Sequence, residues 1–219
     1  SVAGNAAASS GTSLTASAAS STIAFENSLG AIEIASLTAG SSVSLTSSGA
    51  MTQTGPISNN GQTITLAAGS TNDITLSNAS NDFGTVSITT GNSVNLRDVS
   101  GFTLNSVTAS QVAGNLTLQT AGGVAMALPA ITLGAGDNLS ITSTGAVTDS
   151  GSLIVPGTTT ISASGLDVTL DDSSNNFGTI GVVGANVAIT DVAAVDLGAS
   201  TVSGTFAITS GGAITDSGT

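Results

Sequence analysis

The sequence predicts an all-β fold, a right-handed parallel β-helix (β-solenoid) of about nine to ten three-stranded coils. Three observations support this prediction. Apolar and small polar residues alternate in short runs, helix-forming patterns are poor throughout, and the same strand sequences return at long, regular intervals. Ser and Thr together supply 68 of the 219 residues. Both residue types favour turns and strand surfaces over helix interiors.

The strand prediction rests on runs of about five residues in which β-branched or apolar residues alternate with small polar ones. Clear examples are segments 138–142, 167–170, 186–190 and 205–209. Such alternation is typical of a strand with one buried face. No apolar set recurs at the helical spacing over a useful length, so we expect little or no helix.

Internal repetition decides between β architectures. Segment 42–55 returns 96 residues later as 138–151, whose pattern appears again at 205–218, and segment 61–99 aligns with 157–192. Within this long repeat, similar strands recur at steps that vary from 19 to 31 residues. A three-stranded unit of this size cannot close its own core and must stack on its neighbours. A β-sandwich does not explain repetition of one strand type at coil spacing.

Successive coils are expected to stack their inward residues in ladders. The predicted isoleucine ladder consists of Ile141, Ile161, Ile189 and Ile208. The neighbouring predicted ladder consists of Leu139, Thr159, Val187 and Phe206. Small residues at the intervening positions would face outward. Variable coil lengths, with insertions confined to turns, favour the right-handed over the left-handed form. The recurring Phe83 and Phe177 are predicted to seal the core beneath a long turn.

Composition excludes several classes of partner and site. Thirteen acidic residues against one basic residue give a net charge of −12, which argues against nucleic acid and anionic membranes as partners. Cys and His are absent, so there is no thiolate chemistry and no imidazole base. No apolar run is long enough to insert into a bilayer. We expect a single β-helix segment over 1–219 of a longer repetitive protein, with 1–20 less regular.

Segments 136–151, 157–170 and 175–198, which read GDNLSITSTGAVTDSG, GTTTISASGLDVTL and NNFGTIGVVGANVAITDVAAVDLG, resemble the shaft repeats of filamentous haemagglutinin-like adhesins, bacterial exoproteins of the two-partner secretion route. The resemblance implies a right-handed β-helix, an extracellular or cell-surface location, and a role as a stalk or adhesive fibre. It also implies attachment to a host, neighbouring-cell or matrix surface through other parts of the full protein, with end-to-end or other self-association. The secretion motif of the family's amino-terminal domain is absent.

Catalysis is not expected, because the acidic residues are mostly isolated. The closest pair is Asp171 and Asp172. Paired carboxylates could serve a polysaccharide-cleaving or glycan-binding β-helix of the tailspike or lyase type, and this is the alternative function. Adjacent strand residues point to opposite faces, however, and Trp and Tyr, the usual platforms for sugar rings, are absent. The sequence therefore predicts no enzyme and no cofactor.

Calcium is the metal for which the sequence offers candidate ligands. Asp171, Asp172 and Asp191 could supply carboxylate ligands near the oxygen-rich loop 171–176, whose counterpart is 77–82. The competing interpretation is structural, since Asn, Asp and Ser are favoured in turns for backbone reasons alone. If the chain recognises anything on its own, these two loops are the expected place.

Overall fold

A computed structural model describes residues 2–5 and 12–218 of the chain. It divides into two compact units, with residues 1–105 and 110–113 in unit 1 and residues 106–109 and 114–219 in unit 2. Both are built from short parallel strands that stack coil upon coil, about ten turns in all. The described residues contain no helix, and hence none that could span a membrane. The predicted all-β parallel solenoid is confirmed.

Unit 1 contains two long parallel sheets and a shorter third side. The strands are β1 (Val2–Asn5), β2 (Thr12–Ala18), β3 (Ile23–Asn27), β4 (Ile32–Ala39), β5 (Val43–Ser47), β6 (Met51–Gln53), β7 (Ile57–Ser58), β8 (Thr63–Ala67), β9 (Ile74–Leu76), β10 (Thr85–Thr90), β11 (Val94–Asp98) and β12 (Thr103–Leu104). The first sheet has the order β1-β3-β5-β8-β10-β12, and the second has β2-β4-β6-β9-β11. The third side pairs β7 with the end of β4.

Unit 2 repeats this plan. Its strands are β13 (Leu116–Thr120), β14 (Met126–Leu128), β15 (Ile131–Thr132), β16 (Leu139–Ser143), β17 (Val147–Asp149), β18 (Leu153–Ser162), β19 (Val168–Leu170), β20 (Asn176–Gly184), β21 (Val187–Asp191), β22 (Val195–Leu197), β23 (Thr201–Val202), β24 (Phe206–Ser210) and β25 (Ile214–Asp216). The first sheet runs β13-β16-β18-β20-β22-β25 and the second β14-β17-β19-β21-β24. On the third side β15 pairs with the start of β18.

The predicted lower regularity of 1–20 falls partly on residues 1 and 6–11, which lie outside the described residues. Within that range β1 pairs with β3 and β2 pairs with β4, both in parallel. The register of β2 on β4 shifts between Leu14 and Thr15. A single domain over 1–219 stays a prediction.

The core of each unit consists of aliphatic columns that run from coil to coil. In unit 1, register pairing places Ile23, Val43, Ile64, Val86 and Leu104 in one buried column of the first sheet. Each fully buried aliphatic side chain contributes about 1.5–3 kcal/mol relative to an exposed one. The strands alternate buried and accessible residues along their length, which is the pattern that the sequence predicts.

The predicted isoleucine ladder is wrong at one step. The residue beside Ile161 in the next coil is Val182, in the first sheet. Ile189 lies in the second sheet, between Leu170 and Ile208. Strands of similar composition occur in both sheets of every coil, so sequence similarity matched a strand of one sheet with a strand of the other. The apparent steps of 28 and 31 residues arise from this exchange.

The neighbouring predicted ladder fails for the same reason. Thr159 stacks between Leu139 and Ile180 in the first sheet, whereas Val187 and Phe206 pair in the second. The predicted inward orientation is correct for Leu139, Thr159 and Val187, which are buried, whereas Phe206 is 40% exposed. The prediction that Phe83 and Phe177 pack in the core is confirmed, since both are buried.

Thr159 provides a test of the column. Its Oγ1 is buried and has no hydrogen-bond partner among residues 2–5 and 12–218. Thr159→Val keeps the shape and removes a desolvated hydroxyl, so we expect the free energy of unfolding to rise by about 1–2 kcal/mol. Urea denaturation measures the change. Thr160→Val, on the adjacent exposed position, is the control and should have little effect. Equal stability of the parent and Thr159→Val would contradict the assignment.

Candidate functional site

The predicted loops occupy equivalent corners of the two units. We call residues 78–84 and 172–178 the Asn-Phe-Gly corners, since each contains an Asn, a polar residue, Phe and Gly in order. The first corner connects β9 to β10, and the second follows β19 and extends into the first residues of β20. The sequence interpretation treated them as irregular insertions that break the repeat. The structure instead closes both corners in the same way, with a buried aspartate from the following coil and a buried asparagine bonded to the preceding coil.

Asp191 closes the second corner from the following coil. Its side chain is buried. Oδ2 accepts the N–H of Phe177 at 2.7 Å, and Oδ1 accepts the N–H of Ala193 at 2.7 Å. Asp98 does the same in the first corner, where its oxygens accept the N–H groups of Phe83 and Ser100. Both carboxylates therefore satisfy backbone donors that the corner would otherwise leave unpaired.

A buried asparagine ties each corner to the preceding coil. In the second corner, Asn175 accepts the N–H of Leu153 at 2.7 Å through Oδ1 and donates to Asp149 Oδ2 at 2.6 Å through Nδ2. In the first corner, Asn81 accepts the N–H of Ile57 at 2.9 Å. Asn81 also exchanges two side-chain hydrogen bonds with Gln53, at 2.8 and 2.9 Å. The corner asparagine thus has the same role in both units, but its side-chain partner is Gln53 in unit 1 and Asp149 in unit 2.

Asp149 and Gln53 were missed by the sequence interpretation. Asp149 accepts the N–H groups of Asp171 and Asp172, both at 3.2 Å, in addition to the Asn175 amide. Gln53 accepts the N–H of Asn78 at 3.3 Å in the first corner. Their sequence positions differ by the same 96 residues that separate the long repeats. That shared offset is the signal that could have identified them as equivalent.

The three aspartates proposed as calcium ligands lie in three different environments. Asp171 is exposed, Asp172 is half-buried and caps Ser174 N–H at 2.8 Å, and Asp191 is buried under the corner. Within the described part of the chain, no group of three or more acidic, His or Cys side chains is arranged to hold a metal ion. Calcium binding by Asp171, Asp172 and Asp191 therefore stays a prediction. A melting temperature that is unchanged by calcium and by chelator would reject it.

Serine closes a second type of corner. The Ser143 hydroxyl accepts the N–H of Gly145 at 3.1 Å and donates to its carbonyl oxygen at 2.9 Å. Ser47 makes the same pair of contacts with Gly49. A Cβ on Gly145 would overlap the carbonyl group of Val124 in the preceding coil. Glycine is therefore required there by the close approach of the two coils.

The outward face of the first sheet in unit 1 carries hydroxyl groups in register. Thr63, Thr85 and Thr103 form one column, and Ser44, Thr65 and Ser87 form the next. The two columns are uncharged, whereas Glu26 of β3 is exposed on the same face.

The profile of a family described as repeats of unknown function (DUF5649) matches residues 18–90, 113–183 and 184–219. The chain belongs to the DUF5649 repeat family. No curated protein and no solved structure matches the chain. The first two matched DUF5649 segments each include one Asn-Phe-Gly corner, and the third includes Asp191.

One further carboxylate in the DUF5649 repeats lies among hydroxyl groups. Asp196 accepts hydrogen bonds from the hydroxyls of Ser217, Thr215 and Thr179, the latter two at 3.0 and 3.2 Å. The Ser217 hydroxyl, aided by the two threonines and against some desolvation, lowers the pKa of Asp196 below its ordinary value of 3.8. These bonds link β20, β22 and the segment that begins with β25.

The corner carboxylates give a testable difference. Asp191→Ala leaves two backbone N–H groups without their acceptor, and we expect it to lower the free energy of unfolding by about 2–5 kcal/mol. Asp171→Ala removes an exposed side chain and should have an effect near zero. Chemical denaturation of both variants measures the contrast. Similar losses would mean that Asp191 does not act as the cap of the Asn-Phe-Gly corner.

Asp196 predicts a change in the pH dependence of stability. Because its pKa is lowered in the folded state, its contribution is fully present above pH 3.8 and is lost as the pH falls through the folded-state value. Asp196→Asn should remove this part of the acid dependence. Melting temperatures of the parent and the variant, measured from neutral pH down to strongly acidic pH, test the expectation. Parallel curves over the whole range would refute it.

Proposed function

We propose that this chain is a structural shaft segment of a secreted bacterial surface adhesin or extracellular fibre and that it supports cell attachment. The proposal rests on the role of the polar side chains at the corners, which form hydrogen bonds between coils. Asp98, Asp149, Asp191, Asn81 and Asn175 are engaged in hydrogen bonds that hold one coil to another. A shaft needs such cohesion along its whole length, and it needs no reactive centre.

Composition supports the same role. Stacked coils satisfy their backbone groups by pairing with neighbouring coils, and this needs neither disulfides nor metal. In the proposed function the distal parts of the full protein contact the host, neighbouring-cell or matrix surface, and shafts associate with one another. The net charge of −12 disfavours nucleic acid as a partner. Catalysis is no part of this proposal.

Surface labelling tests the location. Antibodies raised against the folded chain should label intact source bacteria, whereas antibodies against a cytoplasmic protein of the same cells should label only after permeabilisation. In-frame removal of residues 43–138, one long repeat, should keep the protein at the surface and reduce attachment. Labelling that requires permeabilisation would overturn the extracellular role. Undiminished attachment of the shortened protein would overturn the supporting role.

The competing function, cleavage of a polysaccharide, makes a different prediction. It requires product release from at least one member of a polysaccharide panel and a large loss of rate in Asp171→Asn and Asp172→Asn. The shaft proposal expects no release by the parent chain. Release that survives both substitutions would point to a contaminating activity. Release that both substitutions abolish would replace the shaft proposal with an enzyme.

A further inference from the structure

The tight turn between β7 and β8 has an unusual backbone. Asn60 has a φ of 50° and Gly61 a φ of 73°. The N–H of Gln62 donates to the carbonyl oxygen of Asn59 at 2.9 Å and closes the turn. Two consecutive residues with positive φ define a type I′ turn, for which Asn-Gly is a preferred sequence. Asn60 is the one non-glycine residue with positive φ among those that the structure describes.

The Asn60 side chain is chemically available. Asn60 and Gly61 are both exposed, and nothing lies within 4 Å of the position that a Cβ on Gly61 would take. Within the described ranges no group forms a hydrogen bond with the side-chain amide of Asn60. The main-chain nitrogen of Gly61 can therefore approach the carbonyl carbon of the Asn60 side chain without displacing another group.

We propose that Asn60 is a site of spontaneous deamidation through a cyclic imide. The Gly61 nitrogen gives its proton to solvent base and bonds to Asn60 Cγ, and the Cγ–Nδ2 bond then breaks to release ammonia. Water opens the ring at one of its two carbonyls. Opening at one carbonyl yields aspartate and opening at the other yields isoaspartate. The overall reaction consumes one water and releases one ammonia, solvent base acts only as a catalyst, and no oxidation state changes.

Three other asparagines in turns and corners are protected from this reaction. Asn59, Asn81 and Asn175 are buried, and each has its amide held by hydrogen bonds. In the whole sequence no other Asn is followed by Gly. A side chain on the following residue crowds the attack on the amide. The modification should therefore concentrate at Asn60.

The surrounding contacts determine what the modification does. Gly84 of the next coil lies directly on Gly61, so that a Cβ at Gly84 would overlap the Gly61 backbone. Asn59 links the turn to the same coil, since its Oδ1 accepts the Gly84 N–H at 2.9 Å. Isoaspartate routes the main chain through Cβ and lengthens it by one atom. The inserted atom shifts the Gly61 backbone, which packs closely against Gly84, so isoaspartate should loosen this part of unit 1.

Unit 2 has the same tight contact without the reactive amide. At the position 96 residues later the sequence is Pro156-Gly157. A Cβ on Gly178 would overlap the carbonyl group of Pro156. The close packing of coil on turn is thus common to both long repeats, whereas the chemical lability belongs to unit 1. This contrast makes the proposal specific to one turn.

Asn60→Ala is the control, because Ala has no amide to form the imide and the change creates no new Asn-Gly pair. Each protein is compared with its own fresh sample, so the cost of Ala at positive φ does not enter the comparison. The folded parent and this variant are incubated in mildly alkaline buffer, and peptide mass spectrometry locates amide-to-acid conversion and isoaspartate. We expect at least tenfold more conversion at Asn60 than at any other asparagine. We also expect a melting temperature that falls with incubation in the parent alone.

Asn60→Asp separates the two products, since it adds the charge without lengthening the backbone. Its melting temperature should stay close to that of the fresh parent and should exceed that of the aged parent. An Asn60 that stays intact while other asparagines convert would overturn the proposal. Equal thermal losses on incubation in the parent and in Asn60→Ala would also overturn it.

Discussion

The spacing between successive coils is the constraint on which the rest of the structure depends. Hydrogen-bonded parallel strands lie about 4.8 Å apart. Each coil must therefore place its turns directly on those of the preceding coil. Corners therefore admit only compact backbone. Gly145 and Gly84 meet this requirement where a side chain would overlap the neighbouring coil. A turn can vary in length only where its residues project away from the neighbouring coil. The Asn-Phe-Gly corners are fixed at both ends by hydrogen bonds.

A second consequence of the spacing concerns polar groups. A corner bends the backbone out of the strand ladder and leaves N–H groups without strand partners. The chain satisfies them with short side chains from the adjacent coil, such as Asp191 for Phe177 and Asn175 for Leu153. In unit 1, Gln53 takes the place that Asp149 has in unit 2. The corner tolerates a neutral or a charged acceptor because what it requires is an acceptor at that point.

The sequence was sufficient to predict the fold class and the inward residues, because burial on a strand alternates with every residue. It was insufficient to assign strands to sheets. Ile161 and Ile189 belong to strands of similar composition, and only the pairing partners distinguish a first-sheet from a second-sheet strand. The same limit applied to the candidate site. Asp171 and Asp191 look alike as acidic turn residues, yet one is exposed and the other is a buried cap. Asp149 escaped notice because its partners lie more than 20 residues away.

The position of Arg97 has a consequence for proteolysis. Arg97 is the one basic residue of the sequence, so Arg97–Asp98 is the one peptide bond that a protease specific for Lys or Arg could cleave. That bond lies inside β11, where the Asp98 side chain is buried and bonded to the N–H groups of Phe83 and Ser100. A protease must draw an extended segment into its cleft, and this segment is extended but already hydrogen-bonded within the solenoid. We therefore expect trypsin-like enzymes to cleave this chain only after the coil that contains β11 unfolds.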